Sequence, residues 1–534
     1  MKALLDEGRL IRAALDLGAA GIGGPLSKSE LRLAEKAQVL SKTPAPLLSE
    51  LRDALIAGCD PLGETFAMLR SPLERRCSGA FYTPSSIVTP MVRWILDRAP
   101  GRVVDPGCGS GRFIQAVAIA DPKVETIAID LDPLATLMTR AMLRALKARR
   151  ATVVHADYTR FRLARFAGKT AFIGNPPYVR HHALDRAAKE RAAQLATRLG
   201  HRLSKLAGLH AHFFLSTASI AAAGDVGCFV TSAEWLDVNY GSIVRGLMLD
   251  GLGGSGVHLI APDAVTFEEA MTTAALAYFE VGNRPEQLIF SVSREPRLPG
   301  GLGGNGHPVA RIELESAKRW SPLMNRRQRS PESAVPLGSI VRVSRGQVTG
   351  ANAFFVMSRE RARALGIERW CRPAITSARE ILRSDGVVRD RPERLVVLDL
   401  PAEVDRRKHR RLDDYLRTGE TAGGERGAIC ERYVARARSA WWAIKPQTPP
   451  IVASYMARQA PRFALNPDGL ATINVVHGLW PRVPMSAARL RALVAYLNDA
   501  RESFVGMGRT YHGGLEKFEP REMEALPVSP GFSS

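Results

Sequence analysis

Residues 103–113 read VVDPGCGSGRF: an apolar, strand-like run that ends on Asp105 and is followed at once by Gly107, Gly109 and Gly111. Glycines let a chain turn sharply after a strand and let its backbone approach a ligand with no side chain in the way, the general device of nucleotide-binding α/β folds. The third glycine comes one residue earlier than in the GxGxxG of dinucleotide sites, so this stretch alone names no ligand. Nineteen residues past Gly111, ETIAIDLD carries Asp130 at the end of the next expected strand, where a carboxylate can accept from two ribose hydroxyls. The following strand, ATVVHADY, ends on Asp157, placed to meet an adenine amino group. Any one of these could be an ordinary strand-end or cap carboxylate. Three in succession point to a nucleoside-bearing cofactor at the carboxyl edge of a parallel sheet.

The fourth strand end is FIGNPPY, residues 172–178. Two successive prolines forbid both helix and sheet ladder, so the backbone carbonyls there are aimed by covalent geometry. An exocyclic amine on a nucleobase is a poor nucleophile because its lone pair is delocalised into the ring. The side-chain oxygen of Asn175 and the backbone carbonyl of Pro176 can each accept one amino hydrogen and favour a pyramidal nitrogen. Tyr178 offers a flat face, and stacking on it recovers about 1 to 3 kcal/mol of the unstacking cost of an extruded base.

Helix and apolar strand alternate around these motifs. The candidate strands RVVDPG, ETIAIDLD, ATVVHADY, TAFIGNPPY, GCFVTSAEW, GVHLIAPD and AALAYFEV predict a mostly parallel sheet covered on both faces, an α/β domain over 76–290. Residues 1–75 have apolar residues at helical spacing (Leu31, Leu33, Leu40, Leu47, Leu48, Leu51, Leu55) and read as a helical leader. The run PRLPGGLGGNGHP predicts a linker over 291–310, and a second domain, mixed α+β, follows over 311–534.

Lys+Arg number 74 against Asp+Glu 53, a formal net charge of +21. Roughly 38 against 24 fall after residue 310, so about two-thirds of the excess lies in the last two-fifths of the chain. That is the footprint of a chain that lies against phosphates. The six cysteines form no CxxC pair, which predicts reduced thiols in a cytoplasm and no zinc ribbon or disulfide framework. No signal peptide or membrane span is expected; the apolar run 209–224 carries two histidines and reads as a buried helix. His181 and His182 lack further ligands at metal spacing, so no metal site is predicted, and Trp441 and Trp442 read as core.

The ordered series FYTP (81–84), DPGCGSG (105–111), IDLD (129–132), HADY (155–158) and NPPY (175–178) resembles the S-adenosylmethionine-dependent DNA adenine-N6 methyltransferases of the gamma arrangement, of restriction-modification type. The resemblance implies a Rossmann-like class I methyltransferase sheet, with a target recognition domain in the C-terminal part. It implies that Tyr82, Thr83 and Pro84 contact the cofactor, that Asp105, Gly107, Gly109 and Gly111 flank its methionine moiety, that Asp130 meets its ribose and Asp157 its adenine, and that Leu131 is a further cofactor-binding residue. Asn175 and Pro176, with Pro177 and Tyr178, would form the catalytic corner, Tyr178 stacking on the extruded adenine. Phe267 is the candidate for the opposite face of that base. Segments 340–356, 449–466 and 508–528 resemble recognition domains of such enzymes, which makes Arg342, Arg345, Arg458, Arg462 and Arg509 candidates for contact with duplex DNA. A separately encoded restriction endonuclease is an implied partner.

Other readings stay open at this point. Cytosine-N4 methylation uses the same amine chemistry, although typically with a serine in place of Asn175. NPPY also occurs in methyltransferases of ribosomal RNA bases and of release-factor glutamine, which are usually shorter. A DNA-specificity subunit that lost its chemistry would not need an intact NPPY. Cytosine-C5 chemistry requires a cysteine nucleophile after proline, and none of the six cysteines has that context.

Overall fold

Every apolar run that the sequence marks as a strand is one. They are β1 (Arg102–Asp105), β2 (Glu125–Asp130), β3 (Ala151–His155), β4 (Thr170–Gly174), β5 (Val226–Ser232), β6 (Gly254–Ile260) and β7 (Ala274–Glu280). The computed structural model describes residues 4, 6–70, 83–179, 181–260, 273–293, 301–304, 306–325, 334–421, 427–457, 460–504, 507–511 and 515–532. Two further strands, β8 (Gln287–Ser293) and β9 (His307–Ala310), complete a nine-stranded sheet of order β3-β2-β1-β4-β5-β7-β6-β8-β9. Strands β1 to β5 pair in parallel, whereas β7 runs antiparallel between β5 and β6. The order reverses at β1, which lies between β2 and β4, and a crevice opens at the carboxyl ends of such a switch point.

The described residues group into two units, the first running to Asn325 and the second beginning at Ala334. The expected linker over 291–310 is therefore displaced. β8 joins β6, β9 joins β8, and Leu288, Phe290, Val309, Leu314 and Trp320 fill the same core as Trp235. The glycines and prolines fall between two strands of one sheet, and apolar residues on both sides of them carry the first unit on to Asn325. The second unit thus starts later than residue 311.

Adjacent residues of β1 serve opposite faces. Val103 packs into a core with Ile87, Leu137 and Met138, while Val104 packs with Phe172, Phe214 and Phe229. Burial on both faces is what a parallel strand requires. The leader belongs to the first of these cores. Its helices α1 (Glu7–Asp16), α2 (Lys28–Gln38), α3 (Ala45–Ile56) and α4 (Pro61–Leu69) precede α5 (Ser85–Leu96) and the crossover helices α6 (Arg112–Ala120) and α7 (Pro133–Ala145). Leu10, Ala14, Leu51 and Leu55 are buried against the α7 side.

The inward face of α2 differs from the expected one. Leu31 is 45% exposed and Glu30 is 0% exposed. The cause is Arg140 on α7. Its Nε donates to Glu30 at 2.8 Å, and its other four N–H groups reach the carbonyls of Ile22, Gly24, Pro25 and Val153. All five donors of the guanidinium are thereby satisfied.

The second unit is mixed α+β. Strands Val341–Arg345, His477–Pro481, Ile451–Ala453 and Phe463–Leu465 form one antiparallel sheet in that order, beside a second four-stranded sheet, two smaller ones and the helices Arg410–Thr421 and Ala487–Asp499. Trp441 packs on Phe354 and Phe355, as a core residue does. Among the described residues no helix is long and apolar enough to cross a membrane.

The Arg140–Glu30 pair predicts an asymmetry within α2. Glu30→Ala leaves a buried guanidinium without its counter-charge and is expected to lower stability by about 3 to 5 kcal/mol. Leu31→Ala, on the exposed face, is expected to change it by less than about 0.5 kcal/mol, both read from urea unfolding.

Candidate active site

The glycine loop after β1 is clamped from four sides. The N–H of Gly109 donates to Asp130 Oδ2 at 2.8 Å, and its carbonyl accepts from the Thr139 hydroxyl at 2.9 Å. The N–H of Cys108 donates to the Ile129 carbonyl at 3.0 Å, and the Ser110 hydroxyl donates to Asp60 at 2.5 Å. Gly111, at φ 95°, starts α6; a Cβ there would lie 2.7 Å from the Met142 methyl. Gly109 is also in the left-handed region, and a Cβ on it would meet nothing within 4 Å, so that backbone faces open space.

Asp105 and Asp130 end adjacent strands. Asp105 is fully buried, accepts from the N–H of Gly107 at 3.3 Å, and has no partner for Oδ2 among the described residues. Burial, then the neighbouring Asp130 charge, pushes its carboxyl well above the usual range. Burial likewise raises Asp130, whose Oδ1 accepts from the N–H of Asp132 at 2.9 Å. Two neighbouring carboxylates that burial disfavours as anions form a site suited to a cation. Leu131, 69% exposed, follows them. Asp157 accepts from both the N–H and the hydroxyl of Thr159, at 2.9 and 2.7 Å.

The NPPY corner stands beside this loop. A Cβ on Gly107 would lie 3.5 Å from Phe213 and 3.8 Å from Pro177, and one on Gly174 would lie 2.8 Å from Asp105 Oδ1. Asn175 Nδ2 donates to Thr83 Oγ1 at 3.0 Å. At the far end the Val179 carbonyl accepts from the N–H of Leu209, the first residue of helix Leu209–Ile220, the buried helix expected there. Pro176 is buried, while Asn175, Pro177 and Tyr178 are half-buried. Burial raises the Tyr178 phenol.

The first unit thus brings together Thr83, Asp105, the three glycines, Asp130 and the NPPY corner, with Pro84 capping α5 directly after Thr83. Tyr82 and Phe267 lie outside the described residues, as does Arg458. In the second unit Arg342 is exposed, Arg345 pairs with Glu519, and Arg462 donates to the Leu382 carbonyl at 3.0 Å. Arg509 opens a short strand, Arg509–Tyr511.

Sequence reasoning missed several residues here. Phe213 lies 5.2 Å from Tyr158, ring centre to ring centre, and lines the Gly107 loop. His210 and His212 on the same helix are buried, and burial holds both down to about 4. Asp60 and Arg112 form a 3.2 Å ion pair under the loop. Ser110 and Arg112 stand inside the quoted glycine stretch, and Asp60 precedes a proline in the pattern of a helix cap, the one local signal that could have been followed.

A largely parallel sheet with β7 and β9 reversed, carrying three carboxylates and a proline corner at the carboxyl edge of its parallel strands, defines a Rossmann-like methyltransferase fold. Comparison with known proteins agrees. Residues 322–533 match the family described as the Type II methyltransferase M.Eco57I C-terminal domain, and residues 89–202 match the methyltransferase small domain. The chain is 40% identical over 513 residues to the Type II methyltransferase M.XamI of Xanthomonas campestris pv. amaranthicola, covering 94% of each. It is 23% identical to the Type II methyltransferase M.AccI of Acinetobacter calcoaceticus, over 84% of this chain and 85% of that one. Among solved structures, the Type IIL restriction-modification enzyme MmeI, determined in complex with DNA, is similar over 91% of this chain and 72% of its own, at 11% identity and a TM-score of 0.56. The chain belongs to the Type II methyltransferase family.

The raised carboxyl of Asp105 gives a signed pH dependence. The folded chain retains a proton that the unfolded chain releases near the ordinary value of 3.8. Stability held below that pH is therefore lost as pH rises through the folded value. Asp105→Asn is expected to be more thermostable than the parent at pH 8, with the difference shrinking as the pH falls towards 4, measured by thermal melts across the range.

Proposed function

We propose that this protein transfers a methyl group from S-adenosylmethionine to the N6 amino group of adenine within a specific duplex DNA sequence, as the modification part of a restriction-modification system. The observation that carries the reading is the position of the NPPY corner, with Pro177 against the Gly107 loop and Gly174 against Asp105. An amine acceptor site and a cofactor cradle are thereby neighbours.

The residues present fit the cofactor. The unpartnered Oδ2 of Asp105 suits its amino acid cation, Asp130 its ribose and Asp157 its adenine, and the open face of Gly109 gives the backbone room to approach. When bound, the cofactor supplies an electrophilic methyl group on a sulfonium. The chain's own residues do the rest. Asn175 and the Pro176 carbonyl accept the two amino hydrogens and so keep the lone pair out of conjugation. Tyr178 stacks on the base turned out of the duplex. Displacement is direct, with no covalent enzyme intermediate.

The second unit is assigned as the target recognition domain. It has a cavity of about 630 Å³ whose lining includes Asn352, Arg361, Thr418, Arg432 and Asn474, with no carboxylate among its lining residues. Such a surface suits phosphate or the acceptor edge of a purine. The DNA complex known for MmeI, and the family's Type II relatives, support DNA over RNA or protein as substrate.

The test is transfer of labelled methyl to duplex DNA followed by nucleoside analysis. N6-methyladenine is expected, and N4-methylcytosine would overturn the base assignment. Asn175→Ala is expected to lower kcat by at least about 100-fold with S-adenosylmethionine binding retained. Transfer at the parental rate would refute the role of Asn175.

A further inference from the structure

We infer that Thr83 is a positioning residue for the catalytic amide, held in place by the leader through Arg112 and Asp60. This inference rests on the proposed amine methylation and adds to it. The resemblance to known enzymes assigns Thr83 only to the cofactor.

The chain of contacts is continuous. Asp60, 2% exposed, caps α4 by accepting from the N–H of Gly63 at 2.9 Å. Its other oxygen accepts from Ser110 at 2.5 Å and from Arg112 Nε at 3.2 Å. Arg112 Nη1 donates to the Thr83 carbonyl at 2.7 Å, and Thr83 Oγ1 accepts from Asn175 Nδ2 at 3.0 Å. Thr83 is itself 4% exposed, so its hydroxyl does not exchange this contact for bulk water. One buried carboxylate of the leader thereby fixes both the glycine loop and, through Arg112, the backbone that carries the hydroxyl.

The consequence is chemical. An amide has a donor end and an acceptor end of nearly the same shape, and only its partners decide which way round it sits. With the nitrogen committed to Thr83, the oxygen is turned the other way, as an acceptor for an amino hydrogen. Reversed, the amide would present N–H groups to the amine it has to hold. The hydroxyl stays an acceptor towards Asn175 only while its own hydrogen is directed elsewhere, and a cofactor group beside Thr83 would take that hydrogen. Cofactor occupancy and amide orientation are then linked through one oxygen atom.

The experiment compares Thr83→Val, Thr83→Ser and Asp60→Asn in the full chain, with cofactor affinity, KM and kcat measured separately. Thr83→Val keeps the shape and removes the acceptor; kcat at saturating S-adenosylmethionine is expected to fall on the order of 10- to 100-fold. Thr83→Ser is expected to restore it to within about threefold, which a packing role for the methyl group would not do. Asp60→Asn, which leaves Thr83 intact, is expected to lower kcat in the same direction, and it serves as the test should Thr83→Val not fold. Unchanged kcat in Thr83→Val and Asp60→Asn, or a rise confined to the cofactor KM, overturns the inference. If the parent chain transfers no methyl group, the proposed function itself fails. If the parent transfers and Asn175→Ala does not, while Thr83→Val matches the parent, only the role of Thr83 fails.

Discussion

The hydrogen bond from Gly109 to the carboxylate of Asp130 sets the geometry of the carboxyl edge. It ties the loop leaving β1 to the end of β2, so the crevice opened by the reversal of strand order acquires a fixed floor. Because that loop is pinned, α6 starts where Gly111 turns, and Arg112 begins the helix directly beneath. On the other side of β1, β4 delivers the proline corner to the same edge. Register does the delivery. Val104 pairs with Phe172, so the residues that follow each strand emerge at the same level.

Three carboxylates lie near this edge, Asp60 and Asp105 buried and Asp130 half-buried, and they are treated differently. Asp60 has an arginine and a hydroxyl against it, and what it contributes is rigidity. Asp105 and Asp130 have only backbone N–H groups, and burial works against the charge on both. On the proposed function, two partly desolvated carboxyl groups, Asp105 with its proton retained, are a cost carried by the empty fold, and the cores on either face of the sheet offset it. The leader is part of that compensation. It buries apolar helices on one face and, through Glu30, neutralises the one arginine buried deep in α7.

What was legible in the sequence follows from how local each signal is. A buried parallel strand is a short apolar run, and a functional one ends in Asp or Asn, so β1 to β7 and the residues at the ends of β1 to β4 could be read directly. The direction of β7 could not, because an antiparallel strand buried on both faces has the same composition as a parallel one. β8 and β9 were hidden by the glycines and prolines between them. The inward side of α2 was misread for a physical reason: a helical period ranks Leu31 above Glu30, and only Arg140, 110 residues away, makes the glutamate the buried one. The Asp60–Arg112 contact spans 52 residues and no periodicity announces it.

Charge in the second unit requires similar care. Between residues 327 and 534 there are 34 Lys+Arg against 22 Asp+Glu. Many of the arginines are committed: Arg345 to Glu519, Arg359 to Asp390, Arg389 to Asp468, Arg394 to Glu380, and Arg406 to Asp413 and Glu420. On the DNA-modifying reading, the excess of cations and not their total bounds the phosphates neutralised, and each phosphate adds about 0.9 to the salt slope of binding. A second group is anchored by carbonyls instead. Arg438 donates to Val348 and Thr349, and Arg432 to Gly350, along the loop that lines the cavity. A guanidinium already fixed by its own loop loses less side-chain entropy on meeting a base edge than one on a free stem. On that same DNA-modifying reading, the anchored arginines would be the better suited to meeting base edges, and exposed ones such as Arg342 to meeting phosphates.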